Sequence, residues 1–301
     1  MKKRIAITTT SFGKYDEKPL SLLKKSGFEI ILNTSGRKLK KEEISVLCRG
    51  AVGIIAGTEL IDARVLELLP GLRVISRCGS GLDNVDREAS SRLGIKVMNT
   101  PAAPVQAVAE LTVGLFLDLL RRVSYADRKI RAGVWEKPMG NLLKDKKIGI
   151  IGFGNIGKAV NSLVRAFGCE TTYADPGVEK SRDSKRVSLD KLLRESDIVT
   201  IHVSGRDRIL DNEKINLMKK DAWLVKASRG GTVDEDALCG ALKKGRISGA
   251  AIDVFEREPY EGPLRELDNV VLTPHMGSYA KEARVNMEIE SVKNLLKGLE
   301  E

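Results

Sequence analysis

The chain has 301 residues, 42% apolar and only 4% aromatic, without a low-complexity tract; that length exceeds one comfortable core, and the composition is that of a globular α/β protein, so two domains are expected. The net charge of +10 comes from 51 basic and 41 acidic residues that are interspersed, as in Lys40-Lys-Glu-Glu43, and no basic face interleaved with aromatics is seen, so nucleic acid is not an expected partner. Cys48, Cys78, Cys169 and Cys239 lie far apart with no CxxC pairing, and neither Ile5-Ala-Ile7 nor the 111–120 run, which contains Gly114 and Asp118, is long enough for a signal peptide or a membrane span. A cytoplasmic protein with no metal, no disulfide scaffold and no membrane partner is expected.

In chain order, β-rich runs at 4–8, 28–32, 52–56, 74–77 and 95–98 alternate with helical patterns that carry charged faces. Such alternation predicts parallel strands with crossover helices, a small doubly wound, flavodoxin-like domain over residues 1–97. A long helical pattern over 104–131, apolar at Val108, Leu111, Leu115 and Leu119 and ended by Gly133, leads to a second domain. Six strands are predicted there, at 147–151, 170–174, 197–202, 223–226, 250–255 and 270–273, enough for a full Rossmann sheet. The last helical segment, 279–299, has no strand left to pair with in its own half and is expected to cross back to the first domain. The α/β fold is thus read as two doubly wound parallel-sheet domains, 1–97 with 280–301 and 98–279, joined by two crossover helices.

The segment Lys147-Ile-Gly-Ile-Ile-Gly-Phe-Gly-Asn-Ile-Gly-Lys-Ala-Val160 combines a buried-strand run, a GxGxxG turn and a helix start. Gly152 permits the tight turn, Gly154 lets a pyrophosphate approach bare backbone, and Gly157 lets the helix pack on the strand, its N-terminal amides facing the phosphates. Asp175 follows at the next predicted strand end, where a ribose diol needs a carboxylate. It would repel a 2′-phosphate and no Arg directly follows it, so NAD is favoured over NADP.

Three charged residues stand at the C-terminal ends of later predicted strands: Arg229, Glu258 and His275. Hydride transfer between a nicotinamide and a 2-hydroxy or 2-oxo acid needs a cation for the carboxylate and carbonyl and a proton donor near neutral pH. Arg229 offers a permanently charged planar fork. His275 and His202 are the two histidines, and a carboxylate beside His275 would stabilise its imidazolium form. His202 ends an apolar strand and reads as packed or groove-lining; Cys78 reads as a packed thiol, and Trp135 and Trp223 as core or interdomain packing residues.

With these residues in view the chain resembles the D-2-hydroxyacid dehydrogenase family, within it the phosphoglycerate dehydrogenase-like group. The similarity runs through Arg77-Cys-Gly-Ser-Gly-Leu-Asp-Asn-Val-Asp86, Asn99-Thr-Pro101, Ala107-Val-Ala-Glu110, Gly133-Val-Trp135, the glycine loop, Ser228-Arg-Gly-Gly231, Glu258-Pro259 and Thr273-Pro-His275. The resemblance implies that Arg229 orients substrate, His275 is the general acid/base and Glu258 holds and tunes it. It implies a carboxylate-binding amide nest at Gly79, Ser80 and Gly81, shared with Arg229 and His275. For NAD it implies nicotinamide contacts at Ser80, Ala227, Ser228, Arg229, Asp253, His275, Gly277 and Ser278. Asn155 and Ile156 would meet the pyrophosphate, Asp175 the ribose and Val203 the adenosine side. It also implies a homodimer, for which the apolar helix from Val108 to Leu120 is the candidate interface element.

Departures from the family pattern bear on the substrate. Pro104 and Ala107 stand where several members carry Asn and Ser. Phosphoglycerate dehydrogenases commonly have an Arg at the end of the third strand to hold the phosphate, whereas Ala56 stands here and Glu59 would oppose a phosphate; Lys14, Arg77 or a partner residue would have to substitute. The chain stops at Glu301, so a regulatory domain with serine feedback is not expected. The main expectation is an NAD-dependent dehydrogenase of a small anionic D-2-hydroxy acid, most similar to phosphoglycerate dehydrogenase, with hydroxypyruvate or glyoxylate reductase as the alternative. Rivals are an NAD(H)-sensing binding protein on the same scaffold, and a phosphonate or formate type dehydrogenase.

Overall fold

Five short strands organise the N-terminal part: β1 (Arg4–Ile7), β2 (Glu29–Leu32), β3 (Ala51–Ala56), β4 (Val74–Arg77) and β5 (Lys96–Asn99). Ile5, Ala6 and Ile7, like Ile54, Ile55 and Ala56, are buried on successive residues, which only a strand covered on both faces requires. The sheet is parallel throughout, in the order β2-β1-β3-β4-β5. Its crossovers are α1 (Lys18–Lys25), α2 (Lys41–Leu47), α3 (Ala63–Glu67) and α4 (Arg87–Arg92). Asp62 and Asp86 start the last two by accepting from Val65 N and Ala89 N. The computed structural model describes residues 2–301.

The second unit, Val105–Gly277, opens with α5 (Val105–Arg121) and α6 (Val123–Arg131). There follow β6 (Lys147–Ile151), α7 (Asn155–Ala166), β7 (Glu170–Ala174), β8 (Lys185–Arg186), α8 (Leu189–Glu195) and β9 (Ile198–Ile201). The unit closes with α9 (Asn212–Leu217), β10 (Trp223–Lys226), α10 (Glu235–Lys243), β11 (Gly249–Ile252), a 3-10 turn at Pro263–Glu266 and β12 (Val270–Leu272). Seven parallel strands lie in the order β12-β11-β10-β9-β6-β7-β8, so strand order reverses beside β6, the position at which doubly wound sheets bind ligands. The seventh strand, two-residue β8, is too short to leave a periodic pattern, which is why six were predicted.

From Ser278 the chain belongs to the first unit again, where α11 (Lys281–Glu300) packs on β3, β4, β5 and α1. Its approach to the sheet is close. A Cβ on Gly53 would lie 2.9 Å from Leu295 Cδ1, and one on Gly298 3.0 Å from Val74 Cγ1.

Two sequence expectations need correction. The helix predicted over 104–131 is broken: Arg122 takes a left-handed conformation (φ 54°), and Asp118 accepts from Ser124 N at 2.7 Å, giving α6 a fresh N-terminal partner. Trp223 is buried, but Trp135 is 82% exposed and is no core residue; it follows the Gly133 turn that ends α6, outside either helix. The apolar stripe of α5, with Val108, Leu115 and Leu119 buried, packs against α7 and the sheet of its own unit. Further exposed apolar side chains follow it on α6 and the next segment, among them Ile130, Trp135, Met139 and Leu142.

Candidate active site

The glycine loop after β6 is shaped by backbone crowding. Gly152 has φ 86°, and a Cβ there would sit 2.7 Å from the His202 carbonyl; a Cβ on Gly157 would sit 2.2 Å from Gly152 O. Gly154, the N-cap of α7, has open space where its Cβ would be, so a phosphate can reach the amides of Asn155 and Ile156 unobstructed. Asp175, just past β7, accepts from Phe153 N at 2.6 Å and from Gly177 N at 2.7 Å. It therefore ties the strand end to the loop and keeps lone pairs for a diol. The residues present fit a dinucleotide. Val203 follows β9 at the same edge, half-buried.

Ala227, Ser228 and Arg229 leave β10, Asp253 leaves β11, and His275 and Gly277 follow β12, so all share the C-terminal edge of one parallel sheet with the glycine loop. His275 Nδ1 lies 2.9 Å from Glu258 Oε2. With the ring N–H donating to that oxygen, Nε2 is left to exchange a proton with a ligand. Glu258 is itself fixed, its Oε1 accepting from Phe255 N at 3.0 Å, and Phe255 stacks on Tyr260 with centroids 4.3 Å apart. The Arg229 loop is pressed onto the same turn: a Cβ on Gly230 would lie 2.3 Å from Phe255 O. Thr232 Oγ1 donates to Arg229 O, and the guanidinium Nη1 to Ser228 O.

Asp253 does more than the sequence indicated. Its buried carboxylate accepts from Thr273 Oγ1 at 2.7 Å, Met276 N at 2.8 Å and Gly277 N at 2.9 Å, a clamp around the loop that carries His275. His275 has φ 54°, a left-handed conformation that costs energy for a non-glycine residue and persists because the loop is tied on both sides. The pairing joins residues distant in sequence, so no local pattern announces it.

In the five-stranded unit, Gly79 at the end of β4 has φ 145°, and a Cβ there would collide with the Arg77 guanidinium. Its N–H donates to Thr100 Oγ1 at 2.8 Å, and Asn99 Nδ2 donates to Ser80 O at 2.6 Å, which fixes the 79–81 loop. Asn99 and Thr100 stand in one of the stretches that carry the resemblance, but the sequence assigns them no role. Beside this loop Ala56, paired with Arg77 across β3 and β4, is buried, and the buried Glu59 carboxyl accepts from Gly57 N and Thr8 Oγ1. Ser278 begins the return to this unit.

His202 is buried, its Nε2 2.9 Å from Thr200 Oγ1, and burial pulls its pKa down to about 3, so it stays neutral at physiological pH. Burial likewise pushes the Cys78 thiol up to about 11, which keeps it protonated and inert. All four cysteines are free and buried. No helix among the described residues is long and apolar enough to cross a membrane.

Residues 113–277 match the sequence profile of the D-isomer specific 2-hydroxyacid dehydrogenase, NAD binding domain. A glyoxylate reductase of Thermofilum pendens is 42% identical over 79% of this chain and 75% of its own length. A D-3-phosphoglycerate dehydrogenase of Archaeoglobus fulgidus is 34% identical over 94% of this chain, which spans 56% of that longer relative. The crystal structure of the TT0316 protein from Thermus thermophilus superposes with a TM-score of 0.92 at 36% identity, covering 99% of this chain and 97% of that one. A glycine loop with an acidic strand end, a histidine held by a glutamate at the same sheet edge, and a matched profile over that whole unit converge: the chain belongs to the D-2-hydroxyacid dehydrogenase family, NAD-dependent oxidoreductases of the α/β class.

Proposed function

We propose that this chain interconverts a small, unphosphorylated 2-oxo acid of the glyoxylate or hydroxypyruvate kind and its D-2-hydroxy acid. Bound NAD(H) supplies the hydride acceptor or donor. Arg229 engages the carboxylate and carbonyl oxygen through its planar fork. In the reducing direction His275 Nε2 hands its proton to the carbonyl oxygen, while Glu258 fixes the ring and stabilises the imidazolium. Ala227, Ser228, Asp253, Gly277, Ser278 and Ser80 are the proposed nicotinamide contacts, and Gly152, Gly154, Asn155, Ile156, Gly157, Asp175 and Val203 the proposed contacts for the rest of the cofactor. In the five-stranded unit the proposed carboxylate nest is the Ser80 and Gly81 amides, Gly79 N being engaged by Thr100.

The His275 and Glu258 pair at 2.9 Å carries the assignment. Ala56, paired with Arg77 in the strand that leads to the 79–81 loop, offers no cation for a phosphate and so favours an uncharged distal group, although a phosphoglycerate dehydrogenase is among the relatives. Glyoxylate, hydroxypyruvate and phosphohydroxypyruvate compared with NADH by kcat/KM test the choice. The first two are expected to exceed the third by about tenfold or more, the scale of one lost charge-assisted contact; the reverse order contradicts the substrate class.

A homodimer is proposed on the 123–142 segment, where Ile130, Trp135, Met139 and Leu142 are exposed, Met139 by 91%. Light scattering of the parent and of Met139→Glu checks it: dimer in the first, monomer in the second. A reducing, cytoplasmic setting suits four unpaired buried thiols.

A further inference from the structure

Lys226 ends β10 with its side chain wholly buried, after Trp223, Leu224 and Val225. Its Nζ lies 3.2 Å from Glu235 Oε1 in the first turn of α10, and the same oxygen accepts from Glu256 N at 2.9 Å. That amide belongs to the turn in which Phe255 N holds Glu258 Oε1 and Glu258 Oε2 meets His275. The Lys226 carbonyl also accepts from Asp253 N at 2.9 Å, so its backbone supports the carboxylate that clamps the His275 loop. The charged groups facing the ammonium are Glu235 from α10 and Glu256 and Glu258 from the turn; burial pulls the ammonium below its ordinary range while these three pull it back up.

A buried ion pair is seldom the most stable filling of its space, since apolar residues of similar volume are often neutral or stabilising there. Here the pair joins strand, helix and the glutamate-bearing turn. We propose that Lys226 is a positioning residue for proton transfer: with Glu235 it clamps the 255–258 turn so that Glu258 meets His275, an inference that rests on the roles assigned to those two residues above.

Lys226→Met combined with Glu235→Leu removes one charge of each sign, leaves net charge unchanged and refills the space with apolar side chains. The chain has two histidines, so nitrogen NMR of the imidazole rings reads the His275 Nδ1 bond to Glu258 directly, with buried His202 as the unchanging reference. The double variant is expected to reduce glyoxylate with kcat lowered by about tenfold or more, as a misplaced catalytic group costs, and with KM for NADH within about twofold of the parent. Its His275 Nδ1 signal leaves the position of a nitrogen hydrogen-bonded to a carboxylate, because Glu258 no longer meets the ring. Glu235→Gln, which keeps the side-chain shape and the acceptor for Glu256 N, falls between parent and double variant in both readouts. Parental kcat and a parental His275 Nδ1 signal in the double variant, or in Glu235→Gln should only that one fold, overturn the clamp. Full activity in His275→Gln would remove the underlying assignment instead, which separates the two failures.

Discussion

Replacing Asp253 by Asn tests how the His275 loop is held. Asp253 is 1% exposed, and its two oxygens accept three hydrogen bonds, from Thr273 Oγ1 and Met276 N on one side and from Gly277 N on the other. An Asn has one acceptor oxygen, so whichever way its amide turns, an NH2 faces a backbone N–H that it cannot satisfy. Losing one charge-assisted bond and burying that mismatch costs about 1.5–3 kcal/mol. The left-handed backbone of His275 stores about 1–3 kcal/mol of strain, so the clamp and the strain are of one size. Relaxation of the loop then competes with the productive position, and each 1.4 kcal/mol reduces its population by about tenfold. Asp253→Asn is therefore expected to lower kcat by about 10- to 100-fold and the unfolding midpoint by several degrees. Steady-state reduction of glyoxylate with NADH and a thermal melt measure the two. Parental kcat and an unchanged melt would show that the loop holds itself.

Asp175→Ala removes the proposed diol acceptor and the Phe153 N partner together, so KM for NADH is expected to rise by about tenfold while discrimination against NADPH falls, measured by kcat/KM for each cofactor. Gly157→Ala places a methyl 2.2 Å from Gly152 O and is expected to abolish NADH binding, read by fluorescence titration, with the five-stranded unit still folded by circular dichroism. His202 binds a proton in the unfolded chain near pH 6.5 but in the folded one only near pH 3, so the unfolded state gains protons first as pH falls. Stability should decline by up to about 1.4 kcal/mol per pH unit between those values, and denaturant melts of His202→Gln should decline less steeply there.

Much of the sheet architecture was legible because doubly covered strands such as Ile54-Ile55-Ala56 read as unbroken apolar runs, a signal that survives without tertiary context. The glycine loop was legible from its spacing, since Gly157 answers to Gly152 O a few residues away, although the crowding at Gly152 comes from the distant His202 carbonyl. The break after α5 was not, because an Arg in a left-handed conformation leaves none of the Gly or Pro punctuation that marks helix ends; only the Asp118 bond to Ser124 N explains it. Trp135 was misread from its size alone. Arg229, Glu258 and His275 could be selected as strand-end charges, yet what positions them is non-local: Asp253 reaches Met276, Gly230 packs on Phe255, and Thr100 takes the amide of Gly79.

The most direct test of the central claim is the rate of NADH oxidation by saturating glyoxylate in the parent and in His275→Gln, with NADH affinity measured alongside. A proton donor held by Glu258 predicts a loss of at least about 100-fold in kcat with unaltered NADH affinity. A His275→Gln protein that turns over within about twofold of the parent would contradict it.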